Sequence, residues 1–195
     1  QVSIPADASP GHHIAGLVVE APPASENLDS STSDSATGNE AQFTVNVIRR
    51  VGVAVVLNIP GDQISGLEVN NISLYQQSEE GATFAIDIKN TGNIFTTAAG
   101  FFIVTDKAGE NLITTIPLQI DTILPGDSTV FYVPRPIRFN DGEYLLSVIL
   151  EYDGKRTVLE GVGMTIKDSQ PQLEGKVSEN IFSQEEIEVF FDSIE

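Results

Sequence analysis

Ala82-Thr83-Phe84-Ala85-Ile86-Asp87-Ile88-Lys89-Asn90 alternates from its third residue: Phe84, Ile86 and Ile88 are large and apolar, while Ala85, Asp87 and Lys89 are small or charged. Successive side chains of an extended strand point to opposite faces, so this period of two places the three large residues on one buried face. The next residues, Thr91-Gly92-Asn93, carry turn chemistry. The pattern returns at Tyr144, Leu146, Val148, Leu150 and Tyr152, alternating with residues that include Ser147 and Glu151. Working outward from these two segments gives candidate strands at 66–74, 82–90, 96–106, 110–120, 127–134, 143–152 and 155–167. Glu80-Gly81, Asn90-Thr91-Gly92-Asn93, Lys107-Ala108-Gly109, Pro125-Gly126-Asp127, Asp141-Gly142 and Asp153-Gly154 separate them, and such residues supply the positive φ angles of tight turns. Seven short strands at this spacing predict an immunoglobulin-like β-sandwich over 61–168, with Phe84, Ile86, Ile88, Leu146, Val148 and Leu150 in its core.

The end of this series has an earlier copy. Val2, Pro5, Gly11, Leu17, Val18 and Glu20 stand 131 residues before Val133, Pro136, Gly142, Val148, Ile149 and Glu151. The later copy closes a full set of strands, and the earlier one has no such set before it. Residues 1–60 are therefore expected to be the last part of a first sandwich whose first strands either were cut away or are supplied by another chain. Phe43, Val45, Val47, Val51, Val53, Val55, Leu57 and Ile59 extend it by strict alternation. A strand of that length is expected to bend near Arg49–Arg50. Between the two apolar segments, residues 21–41 are small, polar and acidic, and cannot bury enough surface to order themselves; they are expected to form a flexible loop inserted in a hairpin.

Beyond Asp168 the pattern breaks. Ser169-Gln170-Pro171 and Glu174-Gly175 suggest a linker, so 169–195 is expected to be a linker and an amphipathic C-terminal tail. Residues 181–195 admit two conformations. As a helix, Ser183 is the N-cap, Glu186 completes a capping box, Phe182 and Ile187 form a hydrophobic staple, and Ile187, Phe190, Phe191 and Ile194 share a face. As a strand, Ile187, Val189 and Phe191 alternate with Glu186, Glu188 and Phe190. Either form needs a surface against which to bury its apolar side chains. The expected fold class is thus all-β: an immunoglobulin-like β-sandwich, preceded by a partial β-sandwich module and followed by a short tail.

Composition narrows the function. The chain of 195 residues has a formal net charge of −18 and no cysteine. Phosphate backbones and anionic membranes are bound by clustered Lys and Arg, so neither nucleic acid nor an anionic bilayer is an expected partner. Disulfides, thiol nucleophiles and Cys-based zinc sites are excluded. No apolar run is long enough to span a membrane.

Val2-Ser3-Ile4-Pro5-Ala6-Asp7-Ala8-Ser9-Pro10-Gly11, the apolar strand ending in Val18-Val19-Glu20-Ala21-Pro22, and Arg50-Val51-Gly52-Val53 resemble the end of the first domain of bacterial surface proteins of the WxL-interacting type. Lys89-Asn90-Thr91-Gly92-Asn93 and Leu124-Pro125-Gly126-Asp127-Ser128 resemble their second, immunoglobulin-like domain. The resemblance covers residues 1–168. It implies an exported, non-catalytic protein, secreted or associated with the cell surface, whose relatives bind peptidoglycan or partner surface proteins. No ligand-site residue is carried over from it.

The residues themselves offer little chemistry. His12 and His13 are adjacent, point to opposite faces of a strand, and are expected to flank a turn rather than bind metal. No nucleophile elbow and no calcium loop with alternating acids is present. The chain is therefore expected to be non-catalytic, without cofactor or metal. Its expected function is structural: a cell-surface β-sandwich subunit, of a fibre or similar assembly, completed by strand addition. Phe43, Val45, Val47, Val51, Val53 and Val55 of the first module are expected to meet Ile187, Val189, Phe190, Phe191 and Ile194 of the tail at a subunit interface. The expected partners are further copies of the chain or another surface protein. The alternative is a module binding peptidoglycan or another cell-wall glycan, for which Tyr75 and Tyr132 are the candidate outward aromatics.

Overall fold

The alternating segments fold as strands and pair with their neighbours. The computed structural model describes residues 3–20, 49–176 and 182–192. The elements run β1 (Gly11–Glu20), β2 (Arg50–Ile59), β3 (Leu67–Ser78), β4 (Gly81–Asn90), β5 (Thr96–Asp106), β6 (Leu112–Ile123), β7 (Ser128–Tyr132), β8 (Gly142–Tyr152), β9 (Lys155–Lys167), β10 (Gln170–Lys176) and α1 (Gln184–Asp192). The chain divides into two compact units, His13–Leu57 and Gln1–His12 with Asn58–Glu195. The loop expected at 21–41 and the residues Phe43, Val45, Val47 and Ile194 lie outside the described residues.

The larger unit is a β-sandwich. One sheet has the order β3-β4-β7 and the other β10-β9-β8-β5-β6. Every pair in both sheets is antiparallel. Thus β5 and β6 leave the first sheet for the second, β7 returns to pair with β4, and β8 and β9 go back beside β5. This is the Greek-key crossing of immunoglobulin-like sandwiches. Tyr144, near the start of β8, donates its hydroxyl hydrogen bond to the Asn140 carbonyl at 3.0 Å, the corner that such folds use before their sixth strand.

Phe84, Ile86, Ile88, Leu146, Val148 and Leu150 are fully buried between the sheets, with Phe102, Val104 and Met164 among them. The Phe84 and Phe102 rings stack with centroids 5.2 Å apart. On β3 the register slips between Val69 and Asn71 and again between Leu74 and Gln76. These bulges let Leu67, Val69, Ile72 and Leu74 all contribute to the core although their spacing is not a strict two.

The turns at 90–93 and 124–128 clasp each other at one end of the sandwich. Asn90 is wholly buried, and its amide nitrogen donates to the carbonyls of Ile94 at 2.8 Å and Ile123 at 3.0 Å. Its Oδ1 accepts the Gly92 N–H at 2.9 Å. The backbone of Asn90 exchanges hydrogen bonds with the other turn, donating to the Asp127 carbonyl and accepting from the Gly126 N–H. Gly92 is required because a Cβ there would sit 2.2 Å from the Ile64 carbonyl oxygen.

The segment after Asp168 is a correction to the expected linker. Residues 170–176 form β10, an edge strand on β9. Asp168 and Ser169 adopt positive φ angles of 52° and 62°, and their N–H groups donate to the Asp141 carboxylate at 3.1 Å. An edge position tolerates Pro171, which has no N–H to contribute, and Gly175 falls in a bulge at φ 79°. Leu173 then packs on the core. The punctuation residues that suggest a linker serve here to shape an edge strand.

The tail folds as a helix. Ser183 accepts the first helical hydrogen bond, its carbonyl receiving the Ile187 N–H at 3.1 Å. The side chains of Glu186 and Phe190 are outside the described residues. Phe182 and Ile187, on either side of the helix start, pack on the same apolar patch, the arrangement of a hydrophobic staple.

Candidate interaction surfaces

Two apolar strips have different fates in this molecule. The first is the outer face of the five-stranded sheet. Because β5 carries Phe101-Phe102-Ile103-Val104 and β8 carries Leu145-Leu146-Ser147-Val148-Ile149-Leu150, both strands are apolar on both faces. Phe102, Val104, Leu146, Val148 and Leu150 enter the sandwich core, and Phe101, Ile103 and Ile149 face away from it. Helix α1 covers that outer strip. Ile187 is buried against Phe101, Ile103 and Ile149, with Phe182 and Phe191 half-buried beside them. The Phe191 ring meets Phe101 edge-on at 5.4 Å, and the Arg156 guanidinium lies 5.0 Å from its centroid. Arg156 is in turn ion-paired with Glu151.

This seat changes the assignment of the expected interface. Ile187 and Phe191 pack within their own chain, on a strip that the sequence pattern of β5 and β8 creates but that alternation alone does not reveal. An intramolecular seat orders fewer groups than a contact between chains and loses no translational freedom. Val189 is exposed on the helix.

The second strip is the β1–β2 ribbon. Val51 and Val53 are exposed and Val55 is half-buried. Ile14, Leu17, Val18 and Val19 of β1 and Val56 of β2 are exposed as well. Since adjacent residues face opposite ways, both faces of the ribbon carry apolar side chains. Among the described residues each strand has one neighbour, so each leaves an edge unpaired. An Arg50–Glu20 ion pair at 2.9 Å joins the two strands.

Around the sandwich end of β1, Asn93 gathers three segments. Its amide nitrogen donates to the carbonyls of Pro10 at 3.1 Å and Asp62 at 2.8 Å, its Oδ1 accepts the Ile64 N–H at 2.7 Å, and its carbonyl accepts the His12 N–H at 2.8 Å. Gly11 stands at φ 117°, where a Cβ would be 2.2 Å from the Asn93 oxygen. His12 Nδ1 accepts the Phe95 N–H at 2.9 Å, and its ring lies 4.7 Å from the Phe95 ring. His12 thus has a structural task at this turn. Among the described residues no three metal-ligating side chains come together, and no helix is long and apolar enough to cross a membrane.

Two further surface features depend on the packing, one of them at the candidate aromatics Tyr75 and Tyr132. Tyr75 and Tyr132 lie on β3 and β7, the two neighbours of β4, and both are exposed, with ring centroids 4.3 Å apart. Ala85 of β4, paired with Tyr132, is small enough to let the rings meet across the central strand. The alternation does place both tyrosines outward, but only strand pairing brings them together. The other feature is a groove of about 390 Å³ between the β5–β6 turn and the start of α1, lined in part by Thr105, Glu110, Leu112, Glu185 and Val189. Asp106 makes its turn wall rigid: the carboxylate accepts the N–H groups of Glu110 and Asn111 at 3.0 and 3.2 Å and the Asn111 side-chain amide. Those hydrogen bonds, that of the Asn111 amide first, hold the Asp106 carboxyl below the usual range. Lys107, on the same turn, bonds Glu143 at 2.6 Å, which raises its own pKa.

No protein-family model and no curated protein matches the chain. Solved structures to which the chain is similar include a calcium-binding mutant of Bacteroides uniformis β-glucuronidase 2, at 18% identity and a TM-score of 0.36, with 67% of this chain and 18% of that one covered. They also include the same enzyme covalently bound to cyclophellitol-6-carboxylate aziridine, at 17% identity and a TM-score of 0.36, covering 70% and 22%. Bacteroides uniformis β-glucuronidase is similar at 16% identity, a TM-score of 0.36, and 71% and 22% coverage. The chain spans about a fifth of the length of these enzymes, and the likeness carries no inference about its activity.

Proposed function

We propose that this chain is a non-catalytic structural protein of the cell surface, a β-sandwich subunit whose β1–β2 ribbon is completed by strand addition from a neighbouring chain. The observation that carries the reading is the ribbon itself: two strands with exposed Ile14, Leu17, Val18, Val19, Val51, Val53 and Val56 and, among the described residues, an unpaired edge on each. An isolated pair of strands is marginal in water, and an open apolar edge is a template for another strand. Added strands satisfy the backbone while alternate side chains fill the new interface. Each large apolar side chain so covered contributes about 1.5–3 kcal/mol before ordering costs. The surface location and export rest on the resemblance of residues 2–20 and 50–53 to proteins of the WxL-interacting type.

Sedimentation of the purified chain over a wide concentration range, with amide exchange of β1 and β2, tests this. The proposal expects self-association, or capture of a second surface protein, that protects ribbon amides and that Val53→Asp abolishes. A chain that stays monomeric at millimolar concentration, with no surface partner and with Val53→Asp indistinguishable from it, overturns the proposal.

The Tyr75–Tyr132 pair favours a second reading, a glycan-binding module, because exposed rings on a rigid sheet offer apolar faces to a sugar. Loss of binding to purified cell wall in Tyr75→Ala and Tyr132→Ala variants supports it; full retention in both removes it.

A further inference from the structure

We infer that the groove between the β5–β6 turn and the start of α1 is a binding site for a primary alkylammonium group, entering head first. The inference is independent of the ribbon and its partner. Three observations converge on it. Thr105 lies on the groove, is 3% exposed, and its hydroxyl has no hydrogen-bond partner among the described residues. A buried hydroxyl almost always finds a partner, so an orphan lining a cavity marks a place for a ligand's polar atom. Glu110 and Glu185 stand at the walls, both exposed, and neither has an ion pair among the described residues. Lys107, the nearest base in sequence, is engaged by Glu143. Leu112 and Val189 expose more than half of their surface at the same groove.

Charge complementarity selects the occupant. An anion at the start of α1 meets two carboxylates. A cation meets about half a positive charge from the helix end and two full negative charges from Glu110 and Glu185, so the site favours a cation. An ammonium group has three donors and no acceptor, and it can donate to the Thr105 hydroxyl oxygen while the carboxylates balance its charge. Its methylene stem then runs outward along Leu112 and Val189. The groove, about 390 Å³, is large enough for such a group and within the size range of small-molecule sites. A free alkylamine and a peptide's lysine side chain share this chemistry.

Titration of the isotope-labelled full chain separates the possibilities. Hexylammonium is expected to shift the amide signals of Thr105, Gly109 and Leu112 saturably, and hexanoate and N-acetylhexylamine are not. Glu110→Gln with Glu185→Gln is expected to weaken binding at least tenfold, Thr105→Val severalfold, and added salt progressively. Both glutamates are exposed and make no ion pair among the described residues, so circular dichroism is expected to stay close to that of the wild type while binding is lost. Nα-acetyl-lysine-methylamide binding more tightly than hexylammonium points to a peptide source, and the reverse order to a free amine; both support the site. Equal shifts with hexanoate, or wild-type affinity in the double glutamine variant, overturn the inference.

Discussion

β8 and β1 begin with the same signal and end in opposite surroundings. Each opens on a glycine after a proline-containing turn, runs through an apolar stretch, and reaches a glutamate, Glu151 or Glu20. In β8, Val148, Ile149 and Leu150 are 0% exposed. The corresponding Leu17, Val18 and Val19 of β1 are 60–63% exposed. Sequence similarity sets the conformation in both places, since both are strands. Burial depends on what else is present: β8 has β5 and β9 beside it, a second sheet on one face and α1 on the other. The lesson is that a strand's apolar face is a demand for a partner, which β8 meets and which β1, among the described residues, does not.

The comparison is most easily broken at its ends. Leu146→Ala in β8 is expected to cost about 2–5 kcal/mol, because it leaves a cavity between the sheets. Leu17→Ala in β1 should change the stability of the isolated chain by less than about 0.5 kcal/mol. Chemical denaturation of both variants checks this, and an equal loss in the two would mean that β1 is covered in solution. Ile187→Ala probes the outer face of β8. It removes a buried anchor that contributes about 1.5–3 kcal/mol, and a helix as short as α1 does not persist without its seat. Exposure of Phe101, Ile103 and Ile149 should then raise the fluorescence of a hydrophobic dye, which Val189→Ala should leave unchanged.

The two asparagine turns sharpen the same contrast. Asn90→Ala strands the Ile94 and Ile123 carbonyls inside the sandwich and is expected to cost about 1–3 kcal/mol overall. Asn93→Ala should act locally instead, speeding amide exchange at Ile64, whose N–H loses its Oδ1 acceptor, more than it lowers the unfolding midpoint. The smallest effect belongs to Asp106. Its folded pKa is lowered, so the stability it contributes is present above about pH 4 and is lost as the pH falls through the folded value. The gap in unfolding midpoint between the wild type and Asp106→Ala should therefore close in acid and stay constant near neutrality.

Several of these elements were legible because they rest on local chemistry. Alternation over 84–89 and the period-two series Tyr144, Leu146, Val148, Leu150 and Tyr152 identify the strands and their inward residues, and the Asp-Gly and Asn-Thr-Gly-Asn turns mark where the chain reverses. The cap at Ser183 is consistent with the helix that forms, although the same residues also alternate as a strand would. Other features were hidden. Pro171 and Gly175 suggest a linker, yet an edge position and a bulge absorb both. The tail's apolar side chains announce a partner without naming it, since the strip of Phe101, Ile103 and Ile149 arises only when β5 and β8 lie side by side. The groove was invisible for the same reason: Thr105 and Glu110 come from a strand and the turn after it, and Glu185 from a helix 75 residues beyond Glu110.

By itself, then, the sequence determined that this protein is built of strands, which residues of the sandwich face inward, and where the turns fall, because those are decided by periods of two and by residues that tolerate particular backbone angles. Only the tertiary structure decided that the tail helix sits on its own sheet, that residues 170–176 extend that sheet, and that Tyr75 meets Tyr132. Each of these depends on which strands become neighbours, and that is a property of the whole sandwich rather than of any stretch of chain.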